Sequence, residues 1–298
     1  MLGLYKCSTL DFEILQPGLE VINHIAALKV SLRSAWLAQQ KIALVPTMGA
    51  LHSGHVSLVK KAQELADIVV CSIFVNPTQF TDPKDLEKYP RPLEHDIRML
   101  EHAGCDFVFM PSVTEMYPEP ENWHIDLGPA EFLLEGEFRK GHYQGVTQIV
   151  KKLFDAVNPD LAFFGQKDYQ QVLMIKNMVN YFHLPVELVS CPIIREEDGL
   201  AMSSRNIHLT GEERIQALVL SRSLYYIRDH FGETKIAELL ENARKLVRGT
   251  PGVELDYLTI ADGDTLLPVD EESGKSGLVA LIAAKVGETR LIDNIILN

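Results

Sequence analysis

Positive charge is scarce in this chain. Its 298 residues carry 28 Lys and Arg against 41 Asp and Glu, a formal net charge of −13. Bulk attraction to DNA, RNA or an anionic membrane surface is therefore excluded as the basis of function. Small anions are not excluded, because a few Lys, Arg and His residues can invert the field inside a cleft. Cysteine is scarce too. Cys7, Cys71, Cys105 and Cys191 form no CxxC pair and no zinc-ligand spacing. Cys71 and Cys105 lie in apolar runs and are expected as reduced core residues, which fits a reducing cytoplasm. No apolar run approaches the ~20 residues of a membrane span. The start, MLGLYKCSTLDFEIL, lacks the apolar centre of a signal peptide. The expectation is a soluble cytoplasmic protein with no membrane and no nucleic-acid partner. GxSxG, HExxH and GxxxxGK[ST] patterns are missing, as are internal repeats.

What is present is a 46% hydrophobic chain, enough for one large domain or two ordinary ones. Apolar runs at Ile42–Val45, Ile68–Val75, Phe107–Met110, Leu161–Phe164 and Val186–Ile194 are apolar on both faces, as buried parallel strands are. Helical spacing separates several of them. Leu58, Val59, Ala62, Leu65 and Ala66 form one stripe. Val146, Ile149, Val150, Leu153, Phe154 and Val157 form a second, and Val172, Ile175, Met178, Val179 and Phe182 a third. This alternation predicts an α/β fold, a doubly wound parallel sheet with ligands beyond the C-terminal ends of its strands. The pattern changes near Ile194. A capping box at Thr210 and Glu213 opens a long helix, Ile236 to Leu246 marks another, and three strand-like stretches follow at Val253–Ala261, Leu278–Lys285 and Thr289–Leu297. A larger domain over residues 1–194 and a smaller α+β domain over 195–298 are expected. The Asp-, Glu-, Gly- and Ser-rich stretch 262–277 reads as an exposed loop without assigned function.

The chemistry concentrates at strand ends. PTMGALHSGH, Pro46 to His55, follows the first run and leads into a helix-like run from His55 to Ala66. Two histidines at a helix mouth suit phosphate, because the helix N-terminus offers free N–H groups and partial positive charge. They can donate to phosphate oxygens or move a proton; a metal pair and a plain helix cap stay open on local grounds. FVNPTQF places Asn76 and Gln79 beyond the second run, as hydroxyl- or carboxylate-recognising amides or as turn bonds. FFGQKDYQQ places Lys167 just past a glycine, as a phosphate contact or a solvated lysine. Asp168 is a candidate helix cap or an orienter of Lys167. Spacing does not decide between Gln170 and Gln171 as the residue facing the cleft. DGLAMSSRN offers hydroxyls beside Arg205 as an anion clamp. Arg139, Lys140 and His142, in a glycine-punctuated loop, steer anions or form an exposed basic turn.

These four strings in this order resemble the pantoate–β-alanine ligase (pantothenate synthetase) family, within the HxGH nucleotidyltransferase superfamily. The similarity extends from about residue 20 to Arg290-Leu291-Ile292-Asp293-Asn294. It implies a Rossmann-like N-terminal domain and a smaller C-terminal domain that closes over ATP. It implies condensation of (R)-pantoate with β-alanine to pantothenate through a pantoyl adenylate, releasing pyrophosphate and AMP. ATP is then a substrate accompanied by Mg2+, there is no tightly bound organic cofactor or protein-held metal, and the assembly is a homodimer. By the same resemblance Met48, Gly49, Ala50, Leu51, His52, Ser53, Gly54 and His55 form the first ATP loop, with His55 as proton donor. Gly165, Gln166, Lys167 and Asp168 form the second, Ile194 contacts adenine through its backbone, and Met202, Ser203, Ser204 and Arg205 clamp ATP from the smaller domain. Lys167, Ser203, Ser204, Arg205 and both histidines are the catalytic set. Gln79, Gln171 and Asn76 bind pantoate and β-alanine. One departure is visible: the family usually has Glu where Gln166 stands, and a backbone contact to ATP is expected there. Residues 1–18 are longer than the family pattern and have no functional reading.

Overall fold

Six parallel strands build the larger sheet of the computed structural model, which describes residues 18–270 and 277–297. They are β1 (Glu20–Ile22), β2 (Ile42–Thr47), β3 (Ile68–Ile73), β4 (Phe107–Phe109), β5 (Leu161–Gly165) and β6 (Glu187–Cys191), in the order β1-β4-β3-β2-β5-β6. The chain leaves β2 toward β3 and β4, then returns to β5 on the other side of β2. The order reverses between β2 and β5, and an α/β sheet opens its ligand crevice at such a point.

The strand registers open that crevice. β2 pairs with β3 from Ile42↔Ile68 through Thr47↔Ile73, but with β5 only at Ala43↔Leu161 and Leu44↔Ala162. Beyond Leu44 the two strands part. Ile42 bonds toward β5, its carbonyl accepting from Asp160 N–H. Strand alternation therefore points the Pro46 backbone to the same side. Proline has no N–H to leave unpaired there, so this central strand tolerates it on its open edge.

A second, antiparallel sheet consists of β7 (Val253–Asp262), β8 (Leu278–Val286) and β9 (Thr289–Leu297) in the order β7-β8-β9. Helices Gly211–His230 and Ile236–Arg248 cover one face. The first begins with the expected capping box: Thr210 Oγ1 accepts from Glu213 N–H and Glu213 Oε2 accepts from Thr210 N–H. Strand β8 is apolar from Leu278 to Ala284 because both its faces are buried there. Leu278, Ala280, Ile282, Ala284 and Val286 join the core under the two helices, while Val279 and Leu281 join the core of the larger sheet.

Several elements differ from the sequence reading. The helix after β2 spans Ser53–Gln63, starting two residues early because His52 caps it. Helices Ile25–Leu37 and Leu93–Ala103 escaped notice, since neither opens on a side-chain cap. Three-residue β1 was also missed, and β6 is a shorter, half-exposed edge strand rather than a fully buried run. Cys71, Cys105 and Cys191 are buried free thiols. Burial pushes the Cys105 thiol up to about 12. Cys7, the rest of the N-terminal extension through residue 17, and residues 271–276 of the acidic loop lie outside the described residues. Among the described residues no helix is long and apolar enough to cross a membrane.

Candidate active site

The loop after β2 is shaped by a residue that sequence reasoning missed. Asp96 is fully buried on helix Leu93–Ala103, and its two carboxylate oxygens accept from the N–H groups of Ala50 and Leu51, each at 2.8 Å. Gly49 has φ +81°, and a Cβ there would meet Asp96 Oδ2 at 2.9 Å. Glycine therefore serves both the left-handed backbone and the close carboxylate. The amides of Ala50 and Leu51 are consumed in this bond pair, and Gly49, Ala50 and Leu51 do not line the cavity beyond β2. Exposed Ser53 does not line it either. The expected eight-residue ATP loop thus reduces, at the cavity wall, to Met48, His52, Gly54 and His55.

The helix mouth also differs from a set of free amides. Gly54 N–H donates to His52 Nδ1 at 3.2 Å, and His52 N–H donates to His55 Nδ1 at 3.3 Å, a capping box made of two histidines. His55 N–H goes to the His52 carbonyl at 2.8 Å. The N–H groups that would cradle a phosphate are partly spent. In exchange, each Nδ1 is fixed as an acceptor, so each neutral ring carries its proton on Nε2. Burial lowers the His52 pKa to about 4, with Lys167 adding to the effect. Burial and the neighbouring His52 lower that of His55 to about 3. Both rings are neutral N–H donors at pH 7 in the ligand-free site. Protonating either one also breaks its cap bond.

Below the turn Pro77–Gln79, His142 is buried, and its Nδ1 donates to the Gln79 carbonyl at 2.7 Å. Burial, reinforced by Arg139, lowers its pKa to about 3. Stability should follow these three histidines. Above about pH 6.5 neither folded nor unfolded chain protonates them. As pH falls from 6.5 toward 4, the unfolded chain takes up protons that the folded one refuses, so stability is lost. Each tenfold difference in proton affinity is worth about 1.4 kcal/mol. The unfolding midpoint is expected to drop steeply between pH 6.5 and 4, and less steeply in His142→Gln. A flat midpoint over that range contradicts neutral burial.

Asn76 does not reach the cavity. It is 1% exposed, and its amide donates to the Gly145 carbonyl at 3.0 Å and to Gln79 Oε1 at 3.2 Å, while its oxygen accepts from Tyr117 at 2.8 Å. Its hydrogen bonds are engaged in holding the turn, and Asn76 is not among the residues lining the cavity. Gly145 lets the helix His142–Val157 approach that turn, since a Cβ would lie 2.3 Å from the Thr78 carbonyl. Gln79 is thereby set into the cavity wall, with its Nε2 2.9 Å from Met48 Sδ.

Both glutamines that spacing left open line the cavity, but their side chains have different partners. Gln170 is bound by Glu135 N–H and by the carbonyls of Ala130 and Leu133, tying down the 130–135 turn. Gln171 lines the same cavity, and its side-chain amide has no hydrogen-bond partner among the described residues. Gly165, Lys167 and Asp168 line it as well. Asp168 stands at an N-cap position but makes no side-chain cap bond. Gln166 turns away: its Nε2 donates to Asn294 Oδ1 at 3.0 Å on β9, so it is an inter-sheet contact and not a cavity residue.

Ile194, Met202, Ser203, Ser204 and Arg205 complete the wall. The Ile194 carbonyl accepts from Met202 N–H at 3.0 Å, which holds the two strings together. Arg205 lies 3.4 Å from Asp85, a half-exposed pair that is easily exchanged for another anion. Arg139, left open as a basic turn, also lines the cavity, whereas Lys140 is exposed. Burial and nearby Arg205 both lower the Arg139 pKa, so an anion between the two guanidiniums is favoured. Glu135 does not satisfy Arg139. It is held by Arg290 at 2.6 and 2.7 Å and by the Tyr257 hydroxyl at 2.9 Å. Arg139 is one of the candidates that its basic loop already offers; nothing local signals Asp96, which acts across 45 residues of sequence.

Comparison with known proteins agrees with this arrangement. Residues 20–296 match the model of the pantoate-beta-alanine ligase family. The pantothenate synthetase of Bacteroides fragilis is 46% identical over 277 residues, covering 93% of this chain and 98% of that protein. That of Porphyromonas gingivalis is 47% identical over 281 residues, covering 93% and 99%. The crystal structure of pantothenate synthetase from Thermus thermophilus superposes with a TM-score of 0.87 at 42% identity, covering 93% of this chain and 98% of that one. The pantoate-beta-alanine ligase from Francisella tularensis, complexed with beta-gamma ATP and beta-alanine, superposes with a TM-score of 0.76 at 34% identity, covering 93% and 97%. With the switch-point cavity between β2 and β5 lined from all four strings, and this similarity running through both sheets, the chain belongs to the pantoate–β-alanine ligase family.

Proposed function

We propose that this protein is a pantothenate synthetase that uses ATP to join (R)-pantoate and β-alanine. The observation that carries the reading is the meeting of His52, His55, Lys167 and Arg205 with Gln79 and Gln171 in one cavity. The first group suits a triphosphate, and the neutral amides suit a hydroxyl-bearing carboxylate. In the first step a pantoate carboxylate oxygen attacks the α-phosphorus of ATP, and the bond to the departing pyrophosphate breaks. The carboxylate is already ionised and needs no base. The demand is on charge, which Lys167, Arg205 and the Nε2–H groups of both histidines meet. His55 then acts as a hydrogen-bond donor, and as a proton donor only once phosphate charge has raised its pKa.

In the second step the neutral β-alanine amine attacks the acyl carbon, the bond to AMP breaks with the electron pair leaving on the phosphate oxygen, and the amine proton passes to solvent as the amide forms. Arg139 and Arg205 are the cations available for the β-alanine carboxylate. Magnesium bound to the ATP phosphates would neutralise part of their charge, and Asp168, which lines the wall without a cap bond, is the carboxylate that would face it. Residues 1–194 hold nucleotide and pantoate in this reading. Residues 195–298 close over them and keep water from the acyl adenylate. A cytoplasmic homodimer is the expected assembly.

The test is product identification by mass after incubation with ATP, pantoate and β-alanine. Pantothenate, AMP and pyrophosphate are the expected products. A stable nucleotide-linked product would instead mark a nucleotidyltransferase, and ATP binding without turnover a nucleotide-sensing module. Exchange of pyrophosphate into ATP without pantoate would also count against the reading.

A further inference from the structure

We infer that Asn294 on β9 is a positioning residue that sets the backbone of Lys167 from the smaller sheet. The inference rests on the reading of Lys167 as the phosphate-side cation. Asn294 is 2% exposed, and its Nδ2 donates to two consecutive carbonyls, those of Gln166 and Lys167, both at 2.9 Å. Those carbonyls belong to the two peptide planes that flank the Lys167 Cα. A peptide unit is planar, so holding both planes on one amide fixes φ and ψ of Lys167 together. The direction in which its side chain leaves the backbone is thereby set.

The Asn294 oxygen is used as well. It accepts from Gln166 Nε2 at 3.0 Å, so both N–H donors and the acceptor of the amide are engaged. An ionised carboxylate at position 166 could not donate there. The clasp is itself anchored. Asn294 N–H donates to Asp293 Oδ1 at 2.7 Å, and Arg195 holds the Asp293 carboxylate at 2.6 and 3.0 Å. Arg195 precedes the segment carrying Ser203, Ser204 and Arg205, and Ala201 pairs with it across a β-bridge. One line of hydrogen bonds therefore ties the segment that brings Arg205 to the loop that brings Lys167. A side chain that merely stapled the two sheets would need neither consecutive carbonyl.

The test is a double-mutant comparison read in pantoate-dependent pyrophosphate release. Asn294→Ala is expected to slow it about 10- to 100-fold, in line with the cost of small misplacements at a reacting centre. The ATP KM should rise while the pantoate KM stays near its original value. In a Lys167→Ala background the same change should add nothing, because the residue acts through that lysine. Gln166→Leu removes one bond of the clasp; its smaller slowing should also vanish in that background, and it carries the comparison if Asn294→Ala fails to fold by circular dichroism. Additive losses in the double variant, or an unaltered rate in Asn294→Ala, would overturn the inference while leaving Lys167 in place. A Lys167→Ala enzyme of normal rate would remove the reading of Lys167 and the inference with it.

Discussion

Lys167→Ala is expected to slow adenylate formation at least ~100-fold, and His55→Ala by a similar factor, with the fold intact. Removing one preorganised group that stabilises developing negative charge typically costs about 2.7–4 kcal/mol of activation free energy. Each of these residues lines the cavity where pyrophosphate would depart. Their reasons differ. Lys167 is a point charge whose backbone is fixed through both flanking carbonyls, so its absence removes a cation without loosening the loop. His55 contributes a neutral Nε2–H, and it also accepts the His52 N–H. Its loss removes the reciprocal half of the capping box, at up to roughly 1 kcal/mol of stability, while His52 still caps the helix. His55→Asn separates the two effects, because a short amide can cap but cannot extend an N–H as far as imidazole. Full recovery by Asn would mean that His55 is only a cap. Rapid-quench measurement of pyrophosphate with saturating pantoate reads the step directly, and near-normal rates in Lys167→Ala or His55→Ala would remove them from the phosphate site.

The parts of this site legible in the sequence are those whose chemistry is local. HxGH lies beyond the aliphatic run Ile42–Val45, and GQKD follows the apolar run Leu161–Phe164, so strand ends and polar groups are readable together. Parallel pairing then brings these separated ends to one crevice. What could not be read depends on distant partners. Asp96 spends its carboxylate on the amides of Ala50 and Leu51, so those two N–H groups hold the loop. Asn76 and Gln79 share the string FVNPTQF, yet one is locked against Gly145 and Tyr117 and the other faces the cavity. Adjacent Gln170 and Gln171 both border the cavity, yet Gln170 spends its amide on the 130–135 turn and Gln171 does not. Burial and hydrogen-bond saturation make the distinction, and neither is a property of residue type. The histidine caps are an intermediate case: His52 and His55 have capping-box spacing, but only geometry shows both Nδ1 atoms committed to the backbone.

Arg290→Ala is expected to destabilise the protein by about 3 kcal/mol, well beyond the cost of losing a surface ion pair. Arg290 on β9 forms a two-bond pair with Glu135 and also reaches Asp256 at 2.7 Å. The Glu135 side chain is only 9% exposed, so removing the arginine leaves a carboxylate in a poor environment with Tyr257 as its remaining side-chain partner. Glu135→Gln should cost less, since the neutral amide needs no counter-charge and can still accept from Tyr257. A denaturant midpoint for Arg290→Ala within about 1 kcal/mol of the original would show that solvent screens the pair after all. The variant should also change the chemistry. Arg139 follows Glu135 by four residues and lines the cavity, while Arg290 holds that carboxylate. Without Arg290, the Arg139 guanidinium has a new partner in Glu135 and is drawn from the space it shares with Arg205. A higher β-alanine KM, with the rate of pyrophosphate release at saturating ATP and pantoate largely preserved, is the expected signature. Equal losses in both half-reactions would mean that the pair supports the whole cavity, and Arg139 would lose its place as the amino-acid carboxylate partner.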